Sequence, residues 1–273
     1  MRAPAPEGQA LGRVRTELWA LLAIAQRDLT KLLRDRIRLG VSLAFPVLII
    51  AGLGTMLEPT VGRVTGLNAV TLTFTGVLPA TLFQSAAAGM MSIVEDRATD
   101  FSRELFVAPV SRFTIVTGKV IGESLVALCQ GVGIVAFATL FGVRMSPEQL
   151  LALVPPSIAC CLFGAAFGLA TLAALPNQRT AQQVFPFLVL PQYFLAGVIV
   201  PLTGLPGYID AISRIMPMRY PVDLTRAAFY AGTRGYAQAV TEGPLADLIV
   251  MAVLFGGLIV AGGLIFDYRE RTQ

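Results

Sequence analysis

Glu95-Asp96-Arg97-Ala98-Thr99-Asp100-Phe101-Ser102-Arg103-Glu104-Leu105-Phe106-Val107-Ala108-Pro109-Val110-Ser111-Arg112 is the stretch on which the reading of this chain turns. It is dense in charge of both signs, yet long apolar runs flank it on either side. A charge at the centre of a bilayer costs roughly 2.5 kcal/mol or more, so the stretch lies outside hydrocarbon while its neighbours suit it. Phe101, Leu105 and Phe106 fall near helical spacing, which gives the charged run one apolar face that needs a cover. A loop of this kind reads as a docking surface through which a soluble partner acts on a membrane protein.

Composition agrees with the flanks. Over 273 residues the chain is 55% hydrophobic and 14% charged, with mean hydropathy +0.70. Soluble domains carry about 25% charged residues. The apolar residues come in blocks of about 20, the length needed to cross roughly 30 Å of hydrocarbon as helix. The short alternating segments of an outer-membrane barrel are absent from the sequence. The expected fold is therefore all-α and integral to the membrane, a single transmembrane domain over residues 1–273. No cleavable signal is expected, because the first long apolar run starts near Leu39, behind a basic segment too long for a signal's n-region.

Outward from the charged stretch, the spacing predicts six spans: 39–57, 69–94, 113–143, 150–175, 182–200 and 245–266. Ahead of them, Leu11, Val14, Leu18, Leu21, Leu22, Ala25, Leu29, Leu32 and Leu33 recur at helical period opposite Arg13, Glu17, Arg27, Lys31 and Arg34. That pattern predicts an amphipathic helix over 11–35 lying along the membrane surface. Six spans put both termini and the 95–112 loop on one side. That side then carries fifteen basic residues, eight of them by Arg38, against six elsewhere (Arg63, Arg144, Arg214, Arg219, Arg226, Arg234). The excess places the termini and the loop in the cytoplasm of a cell-membrane protein. Residues 201–244 are too apolar for a solvated loop and too broken by proline and charge to span. Short helices dipping back into the outer leaflet fit best, since irregular backbone at depth must be shielded by protein or face water.

The chain carries no motor of its own. A phosphate-binding loop needs a glycine five positions before Gly-Lys and Ser or Thr after it. The one Gly-Lys, Gly118-Lys119, has Phe113 and Val120 at those places. There is no histidine, no metal-ligand spacing and no intramembrane carboxylate pair, so neither a catalytic role nor a cofactor is expected. Cys129, Cys160 and Cys161 read as packing residues. Lys119 and Glu123, one turn apart, read as a structural pair, and Asp210 and Asp223 as helix-capping or arginine-pairing groups. Gly164 with Gly168, and Gly257 with Ala261, allow close helix contact within or between chains. In the fifth predicted span, Gln182, Gln183 and Gln192 with Pro186 and Pro191 suggest a helix facing a cavity or partner, and Gln84 in the second can share that surface. Phe187 and Phe194 lie on the same predicted segment.

Two runs carry a resemblance. Glu95-Asp96-Arg97, then Leu105 to Arg112 and Gly118-Lys119, resembles the cytoplasmic signature of the ABC-2 family of ABC-transporter permeases. Leu190-Pro191-Gln192-Tyr193-Phe194-Leu195-Ala196-Gly197 through Pro201, then Leu205-Pro206, Met216-Pro217, Tyr220-Pro221-Val222-Asp223 and Arg226, resembles the family's late signature. Asp100 stands where members often carry a glycine. The resemblance implies a permease homodimer of twelve spans, served by two copies of a separate ATPase that binds ATP and magnesium. It implies that Glu95, Asp96, Arg97, Asp100, Phe101, Arg103, Glu104, Leu105, Phe106 and Arg112 couple to that ATPase. It implies an outer gate built with Pro201, Pro206, Tyr208, Pro217, Tyr220, Asp223 and Arg226. The expected function is export of an amphipathic or hydrophobic molecule, whether drug, lipid or lipid-linked glycan. The alternative is an ion-driven carrier or channel working alone, against which the near absence of ionisable residues in the span interiors argues.

Overall fold

In the computed structural model, residues 19, 21–23, 25–92, 112–172, 175, 177–199, 201–202 and 206–271 are described. They are helical wherever they are regular. α1 covers 25–34 and α2 Arg36–Leu48; a π turn, Ile49–Leu53, leads into α3, Gly54–Thr65. Then follow α4 (Ala69–Gly89), α5 (Arg112–Leu140), α6 (Pro147–Ala152), α7 (Val154–Leu172) and α8 (Gln178–Leu195). The last third holds α9 (Gly207–Ile215), α10 (Arg219–Phe229), the short α11 (Tyr236–Ala239) and α12 (Pro244–Arg271).

Local chemistry sets the ends. Asn68 caps α4 by accepting from Thr71 N, and Glu58 of α3 accepts from Ala69 N at 2.7 Å, so one carboxylate ties two helices at their turn. The turn itself uses Gly66 at φ +70°, a left-handed position that glycine fills without a Cβ clash. Ser146 and Gln149 form a reciprocal capping box at α6. The π turn follows Pro46, whose ring cannot continue the regular ladder, so the first apolar stretch bends without ending.

α4 is the axle. Nearly all its residues from Leu72 to Phe83 are buried, and α3, α5, α7 and α10 pack around it. Its tightest partner is α7. A Cβ on Gly164 would come within 2.7 Å of Phe83 Cα, and one on Gly168 within 2.7 Å of Ala87 Cα. The Gly164/Gly168 pair thus serves contact inside the chain. Gly257 has nothing within 4 Å, and α12 meets α7 at Gly262 instead. Phe83 fills the seam between Phe163 and Phe167, with ring centroids 5.8 and 5.2 Å away.

Five helical stretches are long and apolar enough to cross a membrane: Leu39–Arg63, Ala69–Gly89, Thr114–Leu140, Pro147–Leu172 and Tyr236–Ile265. Four agree with predicted spans, and the second half of α3 extends the first. α8, predicted as the fifth of six, is a helix of 18 residues but does not reach that standard. Gln178, Arg179, Gln182, Gln183 and Gln192 lower its hydropathy. It splits into two faces, with Ala181, Phe185, Val189, Gln192 and Tyr193 buried and Phe187, Leu190 and Phe194 exposed. The segment predicted to hold short helices, 201–244, contains α9, α10 and α11.

Candidate functional site

Three arrangements converge on α4, and the first lies where the charged loop is rooted. The loop residues Glu95, Asp96, Arg97, Asp100, Phe101, Arg103, Glu104, Leu105 and Phe106 lie outside the described residues, as does the first part of the amphipathic helix; α5 begins at Arg112. The ends on which the loop stands are well placed. Asp28 of α1 is buried, with its Oδ2 3.7 Å from Lys119 Nζ of α5. Lys119 Nζ donates to Ser92 Oγ at 2.9 Å, just beyond α4, and Ser92 Oγ lies 3.3 Å from Glu123 Oε1. Glycine makes this closeness possible: a Cβ on Gly122 would meet Ala25 Cα and Asp28 Oδ2, both at 3.1 Å, and one on Gly89 would collide with the Glu123 carboxylate. Lys119 and Glu123 are therefore parts of a cluster that joins α1, α4 and α5, wider than the i, i+4 pair their spacing suggested.

Asp28 was not legible as a member. The helical pattern assigns Leu22, Ala25, Leu29, Leu32 and Leu33 to one apolar face; the structure buries Ala25, Asp28 and Leu32 and exposes Leu22 and Leu33. The buried stripe is rotated from the apolar one because Lys119 and Gly122 reward a small acid at that place.

The second arrangement is a cleft of about 350 Å³ between α2, α4, α5 and α8. Gln84 and Tyr193 close one side, with Tyr193 Oη donating to Gln84 Oε1 at 2.8 Å. Phe45 of α2 sets its ring edge-on to Tyr193, centroids 6.4 Å apart. Gln130 and Ser85 line the interior, and Glu123 lies at the end nearest the charged cluster. Of the five residues predicted for a substrate path or dimer surface, Gln84 lines this cleft. Gln192 is buried elsewhere, where its Oε1 accepts from Met218 N at 3.1 Å and its Nε2 donates to Leu188 O at 2.8 Å. Gln183, Phe187 and Phe194 lie on the exposed face of α8. Gln130 was missed by sequence reasoning. The signal was there: an amide seven residues beyond Glu123, on the same helix face, in an otherwise apolar run.

The third arrangement is the outer segment. After α8 the chain leaves helical geometry at Gly197 (φ +75°), and Val198, Pro201 and Leu202 are buried. Gly76 of α4 lets the Val198 carbonyl lie against the helix, where any Cβ would collide. Arg226 of α10, buried, reaches the same carbonyl with Nη2 at 3.5 Å. Burial pushes the Arg226 guanidinium down to about 10, which leaves it charged at neutral pH. Asp223 accepts the backbone N–H groups of Thr241 and Glu242, anchoring α10 to the start of α12. Arg219, 2% exposed, donates to Asp210 Oδ1 at 2.8 Å, Ser213 Oγ at 2.9 Å and Glu242 Oε1 at 3.2 Å. Tyr220 Oη donates to Arg214 O at 2.6 Å. Asp210 and Asp223 thus hold separate cap and arginine roles. Pro206 precedes α9 as its N-cap, Tyr208 is exposed on its first turn, and Pro217 is half-buried in the α9–α10 turn.

Arg214, and after it Arg219, holds the Asp210 carboxyl below the ordinary carboxylate range. A carboxyl whose value is lowered on folding stabilises fully above its ordinary value and loses that contribution as pH falls through the lowered one. Limited proteolysis of the outer segment is therefore expected to accelerate below about pH 4 in the native chain. In Asp210→Asn the same acceleration should be present at pH 7, with no further acid step assignable to this residue.

Five helical stretches of membrane-crossing length and composition, packed around a buried axle, mark a multi-pass membrane protein. Comparison with known proteins gives the family: residues 20–230 match the ABC-2 type transporter family, and the chain belongs to it. Membership makes it a membrane subunit of an ABC transporter and implies an ABC ATPase partner. Its relatives include a putative transport permease, ycf38, of Cyanophora paradoxa, 24% identical over 210 residues (76% of this chain, 72% of that one). Nodulation protein J of Rhizobium meliloti (strain 1021) is 29% identical over 195 residues, covering 68% of this chain and 71% of its own. The same protein of Rhizobium leguminosarum bv. viciae is 26% identical over 190 residues, with shares of 68% and 72%.

Proposed function

We propose that the chain is the transmembrane subunit of an exporter that moves an amphipathic or hydrophobic molecule out of the cytoplasm. ATP and magnesium act on the partner ATPase. Two copies of the chain pair to give twelve spans, with α8 as the fifth span of each, and two ATPase copies serve them. The termini and the 95–112 loop face the cytoplasm of the cell (inner) membrane, as the basic-residue excess favours. The exposed stripe of Phe187, Leu190 and Phe194 on α8 is an apolar face suited to the second copy. Residues 201–244 form the outer gate.

The observation that carries this reading is the Asp28–Lys119–Ser92–Glu123 cluster. It joins the amphipathic helix to the ends of both helices between which the charged loop is strung. Force applied to the loop or to α1 therefore reaches α4, the axle of the bundle, and α5, one wall of the cleft. Coupling of this kind needs a connected element that both sites bias.

The experiment is a triple charge reversal, Glu95→Lys, Asp96→Lys and Arg103→Glu, in chain co-expressed with its ATPase. Export is expected to fall at least tenfold and ATPase co-purification to be lost, while the amount of inserted chain stays unchanged. Undiminished export by the triple variant would remove the docking role. Transport by the purified chain alone under an ion gradient would favour the carrier reading instead.

A further inference from the structure

The cleft between α2, α4, α5 and α8 presents hydrogen-bonding groups that no other described residue uses. Gln130 is 6% exposed and lines the cleft, yet among the described residues its amide makes no hydrogen bond. The Gln84 amide accepts from Tyr193 through its oxygen, while among the described residues its NH₂ and the Ser85 hydroxyl, also lining the cleft, make no hydrogen bond. The amides and the hydroxyl open onto the cleft, and polar groups at membrane depth are rare and mark functional paths. These groups want a guest.

Their chemistry selects the guest. Carboxamides and hydroxyls each give and take hydrogen bonds without net charge. The one ionised group in the lining, Glu123, sits beside Ser92, which holds Lys119 Nζ at 2.9 Å, so a cation already answers it. An anion entering the cleft would face that carboxylate and the amide oxygens. An ammonium would meet the amide NH₂ groups and the lysine. A hydroxyl-rich or amide-bearing headgroup matches both halves of every partner. The remaining wall is apolar: Val41, Phe45 and Pro46 of α2 form the rim. α2 itself is exposed along Ile37, Val41, Phe45 and Leu48, the face on which an acyl chain would lie.

We infer that this cleft binds the uncharged, polyhydroxylated headgroup of an amphiphile, with the apolar chain lying along α2. As a substrate assignment the inference rests on the export reading above; as a binding site it does not. Gln130 is the central contact, with Gln84 and Ser85 beside it.

The test uses full-length chain in bilayer nanodiscs without ATPase, and an alkyl glucoside carrying a diazirine near the top of its chain. Crosslinks are mapped by mass spectrometry to the peptide holding Val41 to Pro46. Excess unlabelled alkyl glucoside is expected to protect, while alkyltrimethylammonium and alkyl phosphate of equal chain length do not. Gln130→Leu should weaken labelling roughly tenfold, and Ser85→Ala, a milder change that leaves packing intact, several-fold. Gln130→Glu should shift protection toward the alkylammonium. Protection by alkylammonium at equal or lower concentration in the native chain would overturn the inference, as would labelling unchanged in both Gln130→Leu and Ser85→Ala. Labelling that behaves as expected, with no ATP-driven movement of the glucoside when the ATPase is added, would uphold the cleft and remove only the export reading.

Discussion

Gly164→Leu is expected to abolish the folded permease. The α4–α7 seam is closed at this point by backbone, not by side chains: a Cβ on Gly164 would lie 2.7 Å from Phe83 Cα and 2.9 Å from Phe83 C. A flexible side chain could swing aside, but α4 is buried on every face and has nowhere to move. Overpacking of ordinary cores costs about 1–3 kcal/mol, and a leucine driven into backbone belongs at or beyond the top of that range. Detergent-solubilised variant should elute as aggregate, with most of the thermal transition lost. Gly257→Leu is the matched control, because nothing lies within 4 Å of its Cβ position. A Gly164→Leu chain that elutes and melts like the native one would mean that α4 and α7 are not in backbone contact.

Arg219→Leu carries the second largest expected effect. Its guanidinium is 2% exposed and joins Asp210, Ser213 and Glu242, which belong to α9 and to the loop entering α12. Removing one partner of a buried ion pair costs about 3–5 kcal/mol. Here the acids stay 31% and 24% exposed, so water recovers part of the loss and about 3 kcal/mol is the expected cost. The consequence should be local before it is global. Proteolysis within 206–243 should quicken by an order of magnitude or more, while the crossings remain membrane-embedded and protected. On the gate role proposed above, export should fall with it. Arg219→Lys keeps the charge but not the fork that reaches two acids at once, and an intermediate phenotype is expected. Unaltered proteolysis and export in Arg219→Leu would remove the latch.

Both effects arise from features that one-dimensional patterns carry poorly. The glycines of α7 are visible as a small-xxx-small pair, but the same spacing serves intrachain and interchain contact equally. Only the positions of Phe83 and Ala87 decide that Gly164 and Gly168 are used inside the chain. Gly257 with Ala261 shows the same spacing, and there Gly257 faces open space. The Arg219 latch is less legible still. Arg219 and Asp210 stand out as charges in an apolar segment, yet Glu242 lies 23 residues further on in a short loop, and nothing in its surroundings marks it as a partner. Burial follows the same logic in α1, where Asp28 and not Leu33 turns inward.

What the amino-acid order settled by itself was the solvent. Apolar runs of membrane length, separated by charge and proline, admit helices and exclude strands, because hydrocarbon offers no partner for an open backbone edge. The same order located the charged stretch at 95–112 and short helices within 201–244, each from local composition. Tertiary structure decided which faces of those helices meet. It made α4 the axle and gathered Asp28, Lys119, Ser92 and Glu123 at the root of the loop. It left Gln130 and Gln84 lining a cleft while Gln192 went to bind Met218. The reason is physical: a helix advertises its period in its sequence, but the direction each face points is fixed by close packing against partners distant along the chain.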